Sequence, residues 1–476
     1  MRAILSSAIL LSCAILSSRP VAPQNSASLN EKVDALVRGE MRRQRIPGLS
    51  LGVYRDGKIV KAQGYGMADL EWEAPVKPDT LFQSGSVGKQ FTAAAIMMLV
   101  EEGKVGLDDS VQKYFPDAPQ SWKDIRIRNL LTHTSGLAEY ESDERGKPDG
   151  PFYLRLDFTE AQLYKKITEL PIDFKPGEKW SYRNTNYVLL GFLIHRVTGK
   201  FYGDFLKERI FAPLGMTNTR IISDADIIPH RASGYEIVDG QLKNQEWVSP
   251  TFNSTADGAL YFNIPDLEKW DAALYTEKLL KRTSLNEMWT PVTLEGGKHY
   301  PYGFAWRIGE PNGHRLLEHG GAWQGFTTAI CRYVNDRLTV VVLTNLDSAH
   351  SDPTRIAHEV ARLYVPDLKL KAIDDTEPQV TALLRTTLTD LAAGRLNLDS
   401  FAPGGRERWA PQRIKGLRER VMSFGEIQSI GPTGTKREEN GAQSYQYLVE
   451  FAQGSVLVNL LLDKEGKING LDIHSE

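Results

Sequence analysis

Residues 86–103 read SVGKQFTAAAIMMLVEEG, and the two halves of this stretch carry different instructions. Phe91, Ala94, Ala95, Met98 and Leu99 recur at three- and four-residue steps, which predicts a helix from about Lys89 to Glu102, ended by Gly103. Ser86 and Lys89 stand at its entrance, three residues apart, so both fall on one face. A serine hydroxyl is a weak nucleophile until a neighbouring group takes its proton. Lysine is such a neighbour once burial or nearby positive charge lowers its pKa, and the apolar residues around Lys89 predict burial. The backbone N–H of Ser86, near a helix N-terminus, is placed to hold an oxyanion. Taken alone, Ser-x-x-Lys also describes a helix cap followed by a solvated lysine.

Working outward, residues 30–45 carry Val33, Leu36, Val37 and Met41 on one helical face, stopped by Pro47-Gly48. Strand-like runs at 49–54 and 59–65 flank Asp56-Gly57, a strong hairpin dipeptide. The middle of the chain is mostly helical and loop-like. Its clearest helix is 186–197, closed by Thr198-Gly199. Strand periodicity returns at 304–308, 315–319, 326–333 and 338–343, with a turn at Asn335-Asp336, before a helix at 352–364. This order predicts an α+β fold: an antiparallel sheet built from both ends of one domain, flanked by helices, with a mostly helical subdomain alongside. Residues 366–378 are rich in charge and read as a linker. Residues 379–476 read as a small C-terminal α+β domain, with a helix (Leu383, Leu384, Leu388, Leu391) ending at Gly394 and strands at 445–451, 456–462 and 468–473.

The balance of 57 basic against 60 acidic residues, with no basic run, gives no support to a nucleic-acid partner. Met1-Arg2, an apolar run at 3–16 and polar sequence at 17–25 describe a secretory signal over 1–22, with Ala22 as its last residue. The run is too short to span a ~30 Å hydrocarbon core, so no transmembrane span is expected in the mature form. The expectation is an exported protein, periplasmic or extracellular in a bacterium. Lipid attachment at Cys13, after Leu10-Leu11-Ser12, is the alternative. Cys331 is the only other cysteine, so the mature chain has no intramolecular disulfide to form. The nine histidines include no His-x-His or His-x-x-x-His pair, so neither a metal nor another cofactor is expected. A Ser-His-Asp lipase is disfavoured because Ser84, not glycine, precedes Ser86 by two.

Two further features complete a constellation. Tyr182-Arg183-Asn184 follows Pro176-Gly177 and precedes the 186–197 helix, offering a phenol for proton transfer and an amide for orienting a substrate. Glu318-His319-Gly320-Gly321-Ala322-Trp323 ends a predicted strand. Its paired glycines let backbone approach a ligand, and His319 offers a proton carrier or a positive group for a substrate carboxylate. Serine, lysine at plus three, Tyr-x-Asn, and a strand ending in a cation-capable residue and glycine, in that order, resemble the penicillin-recognising serine hydrolases. Those are serine β-lactamases with a Tyr-x-Asn motif, D-alanyl-D-alanine carboxypeptidases, D-aminopeptidases and related esterases. The resemblance covers about 29–365 and includes Gly52-Val53-Tyr54-Arg55-Asp56-Gly57, Leu130-Leu131-Thr132-His133-Thr134-Ser135-Gly136-Leu137 and Phe211-Ala212-Pro213-Leu214-Gly215-Met216.

It implies a β-lactamase/transpeptidase-like fold, with Ser86 acylated, Lys89 its proton partner and Tyr182 the base for acylation or deacylation. Asn184 would face the substrate, and the N–H groups of Ser86 and Ala322 would form the oxyanion hole. His133 lies in a segment such proteins use structurally. Where dedicated β-lactamases of this type carry Lys-Thr-Gly, this chain has His319-Gly320-Gly321, similar to esterases and D-aminopeptidases. The expected activity is therefore hydrolysis of esters or D-amino-acid amides and peptides. The alternatives are a β-lactamase or D-Ala-D-Ala carboxypeptidase and, in another class, a non-catalytic penicillin- or peptide-binding sensor. Pocket width would be set by the loop at 139–152. The C-terminal domain receives no chemistry; its expected roles are cleft cover, dimer contact or partner binding.

Overall fold

A computed structural model of the chain describes residues 24–141, 146–148, 150–403, 409, 411–439 and 442–475. The leader-like run with Cys13 and Ala22, and parts of the 139–152 loop, lie outside the described residues.

Both ends of the first 365 residues meet in one sheet. Strand Gly48–Arg55 pairs antiparallel with Leu338–Thr344, setting Leu49 opposite Thr344 and Val53 opposite Val340. The full order is Arg307–Gly309, Leu316–Trp323, Phe326–Tyr333, Leu338–Thr344, Gly48–Arg55, Lys58–Asp69 and Ala74–Pro75, antiparallel throughout. The hairpin turns at Asp56 and Gly57, whose φ of 54° and 70° are the paired positive values such a turn requires.

Period-two alternation assigns each strand residue to one of two cores. Leu49, Leu51, Val53, Val340 and Val342 pack with Val33, Val37, Ile356 and Val360 of helices Gln24–Gln44 and Pro353–Tyr364. On the opposite face Tyr54, Leu317, Ile330, Val341 and Leu343 meet the helical subdomain. That subdomain is centred on helix Lys89–Glu101, buried on every side from Lys89 to Leu99, as a helix without a polar face must be. Helix Asn184–Thr198 packs beside it, and Gly199 (φ 70°) closes that helix.

Three boundaries differ from expectation. The first helix starts at Gln24 rather than Asn30, and Leu29 packs against the same core as Val33. The 304–308 segment is strand only from Arg307: Ala305 takes a φ of 61° while Phe304 and Trp306 turn into the core. Conversely, the strand expected to stop at His319 runs to Trp323, straight through the paired glycines.

Helices Pro378–Ala393 and Pro411–Met422 and the four-stranded meander Ile427–Glu439, Ala442–Phe451, Gly454–Leu462 and Ile468–Ser475 form a C-terminal α+β unit. It has a core of its own, in which Leu384, Leu388 and Leu391 face Val456, Val458 and Leu460. Strand Ile427–Glu439 escaped sequence reading because its pairing slips between Pro432 and Lys436, which hides the alternation. Among the described residues no helix is long and apolar enough to cross a membrane.

Candidate active site

Ser86 sits in a single 3-10 turn, Gly85–Gly88, that runs directly into helix Lys89–Glu101. Ser84, fully buried, holds the turn: its hydroxyl donates to the Gly258 carbonyl at 2.6 Å and accepts from the Leu260 N–H at 3.2 Å. Thr328 Oγ1 donates to the Ser84 carbonyl at 2.7 Å, tying the turn to the sheet. The position that disfavoured a lipase elbow is thus the bolt of this nucleophile turn. Strand Leu316–Trp323 then passes so close that a Cβ on Gly321 would lie 2.2 Å from the Ser84 oxygen and 3.0 Å from the Ser86 nitrogen. A Cβ on Gly85 (φ 48°) would likewise strike the Ala322 nitrogen at 2.4 Å. Only glycines allow the amides of Ser86 and Ala322 to share this corner.

Lys89 is fully buried. Its Nζ lies 3.0 Å from Ser86 Oγ and 2.8 Å from Asn184 Oδ1, and it also donates to the Asp257 carbonyl. Tyr182 presents its ring to the same ammonium, 5.1 Å from Nζ to centroid. The Tyr182 hydroxyl is shielded from solvent and has no hydrogen-bond partner among the described residues. Its ring leans on His133, with centroids 4.2 Å apart. His133 Nδ1 accepts the Arg183 N–H at 3.2 Å, which places the ring proton on Nε2, and burial drives its pKa well down. His133 therefore positions Tyr182 as a neutral ring.

Asn184 opens its helix instead of preceding it, and two carboxyls fix it. Glu139 Oε2 accepts the Asn184 backbone N–H at 2.6 Å, a favourable place for an acid at a helix N-terminus. Glu141 Oε2 accepts from Asn184 Nδ2 at 2.9 Å, so the amide oxygen is turned to Lys89. Glu141 and Asp257 also share the Tyr140 hydroxyl, at 2.8 Å and 2.9 Å. A phenol has one proton, so one of these contacts needs a carboxyl that brings its own. Burial, with Asp257 and Glu139 alongside, raises the Glu141 pKa to about 8, which meets that need.

His319 was expected to serve as proton carrier or cation, and the structure corrects the cationic role. Its Nδ1 lies 2.6 Å from the Gly320 carbonyl, which can only accept, so Nδ1 carries the proton and Nε2 accepts from Tyr302 at 2.9 Å. Burial, with Lys89 and Arg307 nearby, lowers its pKa to about 3. Both ring nitrogens are committed and the ring is neutral. The exposed charge at this end of the cleft belongs to Arg307, which has no ion-pair partner among the described residues, its guanidinium 5.9 Å from the Trp180 ring.

Ser86, Tyr182, Arg307, His319, Gly320, Gly321 and Ala322 all line one cavity of about 520 Å³. A second cavity of about 560 Å³ shares Ala322 with it and is lined by Glu141 and Trp323. Sequence reading missed Glu139, Glu141, Asp257 and Arg307. The alternation Glu139-Tyr140-Glu141 was a usable signal; Asp257 and Arg307 had none, since only tertiary structure brings them here.

A family model described as Beta-lactamase matches residues 33–364. Penicillin-binding protein 4* of Bacillus subtilis (strain 168) is 32% identical over 307 residues, covering 61% of this chain and 66% of that protein. A D-aminopeptidase of Brucella anthropi is 30% identical over 331 residues, covering 67% of this chain and 60% of its own length. The chain thus spans just under two thirds of these relatives. Among solved structures, the octameric penicillin-binding protein homologue from Pyrococcus abyssi superposes with a TM-score of 0.62 at 24% identity, covering 94% of this chain and 98% of that one.

Proposed function

The chain belongs to the β-lactamase family, and from that premise we propose that it is a serine hydrolase working through an acyl-enzyme on Ser86. The observation that carries this reading is the three-way seat of Lys89. Two of its contacts, Asn184 Oδ1 and the Asp257 carbonyl, can only accept, so two N–H bonds are committed there. The third direction faces Ser86 Oγ at 3.0 Å, where one proton can sit on either atom. Ser86 Oγ bonds to the substrate carbonyl carbon as its proton passes to Lys89. The amides of Ser86 and Ala322 receive the oxyanion. Tyr182, whose hydroxyl is unpartnered, protonates the departing nitrogen or oxygen as that bond breaks. It then takes a proton from the water that cleaves the acyl ester, and Lys89 returns its proton to Ser86 Oγ as that bond breaks.

Arg307 and Glu318 line the cavity that holds Ser86, and Lys147 and Glu141 line the one beside it, so both sides of the cleft are polar. This suits a small polar substrate, an amide or short peptide of a D-amino acid, with any carboxylate toward the exposed Arg307. The D-aminopeptidase relative supports that substrate class, and esters of similar shape fit the same path. Arg307 by itself also favours the second reading, a β-lactamase or D-Ala-D-Ala carboxypeptidase, because it offers the carboxylate partner that neutral His319 lacks. Export through the 1–22 run belongs to the proposal, and N-terminal sequencing of the secreted chain tests it.

Intact-mass spectrometry after exposure to a fluorophosphonate and, separately, to a penicillin tests the mechanism. An adduct absent from Ser86→Ala is expected with the fluorophosphonate. A penicilloyl form that persists favours the amidase or peptidase reading, and one that turns over favours the β-lactamase. No adduct with either reagent in folded protein would leave a non-catalytic binding protein as the better account.

A further inference from the structure

We propose that Glu318, Cys331 and His358 form a binding site for one divalent cation of the zinc class, on the sheet face opposite His319. Three elements converge there. Glu318 and Cys331 are direct cross-strand partners in the pairing of Leu316–Trp323 with Phe326–Tyr333, so their side chains leave the same face side by side. His358, on helix Pro353–Tyr364, comes down onto that pair. Cys331 Sγ lies 3.4 Å from Glu318 Oε2, and His358 Nε2 lies 2.6 Å from the same oxygen. One ligand atom from each of the three residues lies within 4.8 Å of the others. Zinc bonds of about 2.0–2.3 Å in a tetrahedral site need ligand separations of roughly 3.3–3.8 Å, so the cluster is within about an ångström of coordination geometry.

Donor chemistry narrows the ion. A thiolate, an imidazole and one carboxylate select zinc, cobalt or their neighbours over magnesium and calcium, which require more oxygen ligands. Access is built in as well. Cys331 is 1% exposed, but the Glu318 and His358 side chains each keep 19% of their surface. Glu318 is also among the residues that line the cavity holding Ser86. Binding is simple in its balance: the Cys331 thiol proton passes to solvent as the thiolate forms, His358 coordinates through Nε2 as the neutral imidazole with its one proton on Nδ1, and no oxidation state changes. Sequence patterns could not flag this site. Cys331 is 13 residues and His358 40 residues from Glu318, on three separate elements.

The ion would tie helix Pro353–Tyr364 to the strand that carries the paired glycines, and it takes no part in the Ser86 chemistry. The test is titration of the full chain, in a Cys13→Ser background, with cobalt(II) alone and zinc(II) alone. One equivalent of cobalt should bind and produce a thiolate-to-cobalt absorption band in the near ultraviolet. Zinc should abolish that band by displacement and raise the thermal unfolding midpoint. Cys331→Ser should remove the band, and His358→Gln should weaken binding at least about tenfold. Both variants should still form the fluorophosphonate adduct, which also reports that they fold. Absence of a cobalt–thiolate band in folded protein overturns the proposal, and so does binding that is equal in Cys331→Ser, His358→Gln and the parent.

Discussion

Lys89 shows how much of a site one residue can decide. Its Nζ is seated on Asn184, Asp257 and Ser86, so Lys89→Met removes the proton acceptor and strands two buried oxygens. Acylation should fall by about 10²–10⁴, the usual worth of a positioned base. A fluorophosphonate rate within tenfold of the parent would remove Lys89 from the chemistry. The pair Ser86 and Lys89 was legible because its spacing is local; the carboxyls around Asn184 were not, since Glu139, Glu141 and Asp257 meet only after the chain folds. They lead to a pH prediction of definite sign. Glu141 titrates near 8 in the folded chain against an ordinary 4.5. Between those values the folded state holds a proton the unfolded state lacks, so stability falls as pH rises through that window. Buried His319 acts in the other direction. Its folded pKa of about 3 lies below an ordinary 6.5, so stability falls as pH drops from 6.5 toward 3. Unfolding midpoints should therefore be highest in a mildly acidic band, and Glu141→Gln should flatten the alkaline side alone. An unchanged alkaline slope in that variant would move the titration to another group.

At the scale of elements, the nucleophile turn and strand Leu316–Trp323 depend on each other through glycine. A Cβ at Gly321 would sit 2.2 Å from the Ser84 carbonyl oxygen, whereas one at Gly320 would meet nothing closer than Thr354 Oγ1 at 3.4 Å. Gly321→Ala should therefore push the strand off the turn, costing about 1–3 kcal/mol of stability, as overpacking does, and most of the activity. Gly320→Ala should be tolerated with little change in either. Thermal unfolding and acylation rates of the two variants check this, and equal behaviour would mean that the corner is looser than its geometry states. The paired glycines were visible in the sequence, but which of them was indispensable was not, because that depends on Ser84 arriving from 237 residues upstream. Strand and helix identities were legible wherever the apolar period was unbroken, as at Phe326–Tyr333 and Leu338–Thr344. They failed where a positive φ at Ala305 or a slipped register after Pro432 interrupted the pattern.

Across the whole molecule, the question is how the C-terminal unit holds to the rest, and Arg355 is the joint. It lies on helix Pro353–Tyr364, two residues from Pro353 at the cleft rim, and is buried at 4% exposure. Its guanidinium stands 5.0 Å from the Phe424 ring of the C-terminal unit, and its Nη2 lies 3.7 Å from Glu40 on the first helix. A second tie joins Asn312 Nδ2 to the carbonyls of Asp367 at 2.8 Å and Lys369 at 3.1 Å in the connecting segment. The apolar cores on either side share no residue, so few contacts of this kind decide whether the two parts unfold together. Phe424→Ala removes the partner of a desolvated cation and part of the small core beneath it. The cation–π contact alone contributes about 2 kcal/mol in such a setting. Denaturant unfolding should be a single transition in the parent and split in two in this variant, with the C-terminal unit melting first and the Ser86 adduct still forming. Because the joint rests on the helix whose first turn lines the cleft, loosening it should also raise KM more than it lowers kcat. A single transition shifted as a whole would show that the unit is coupled through more than Arg355, and an unchanged KM would free the cleft from its influence.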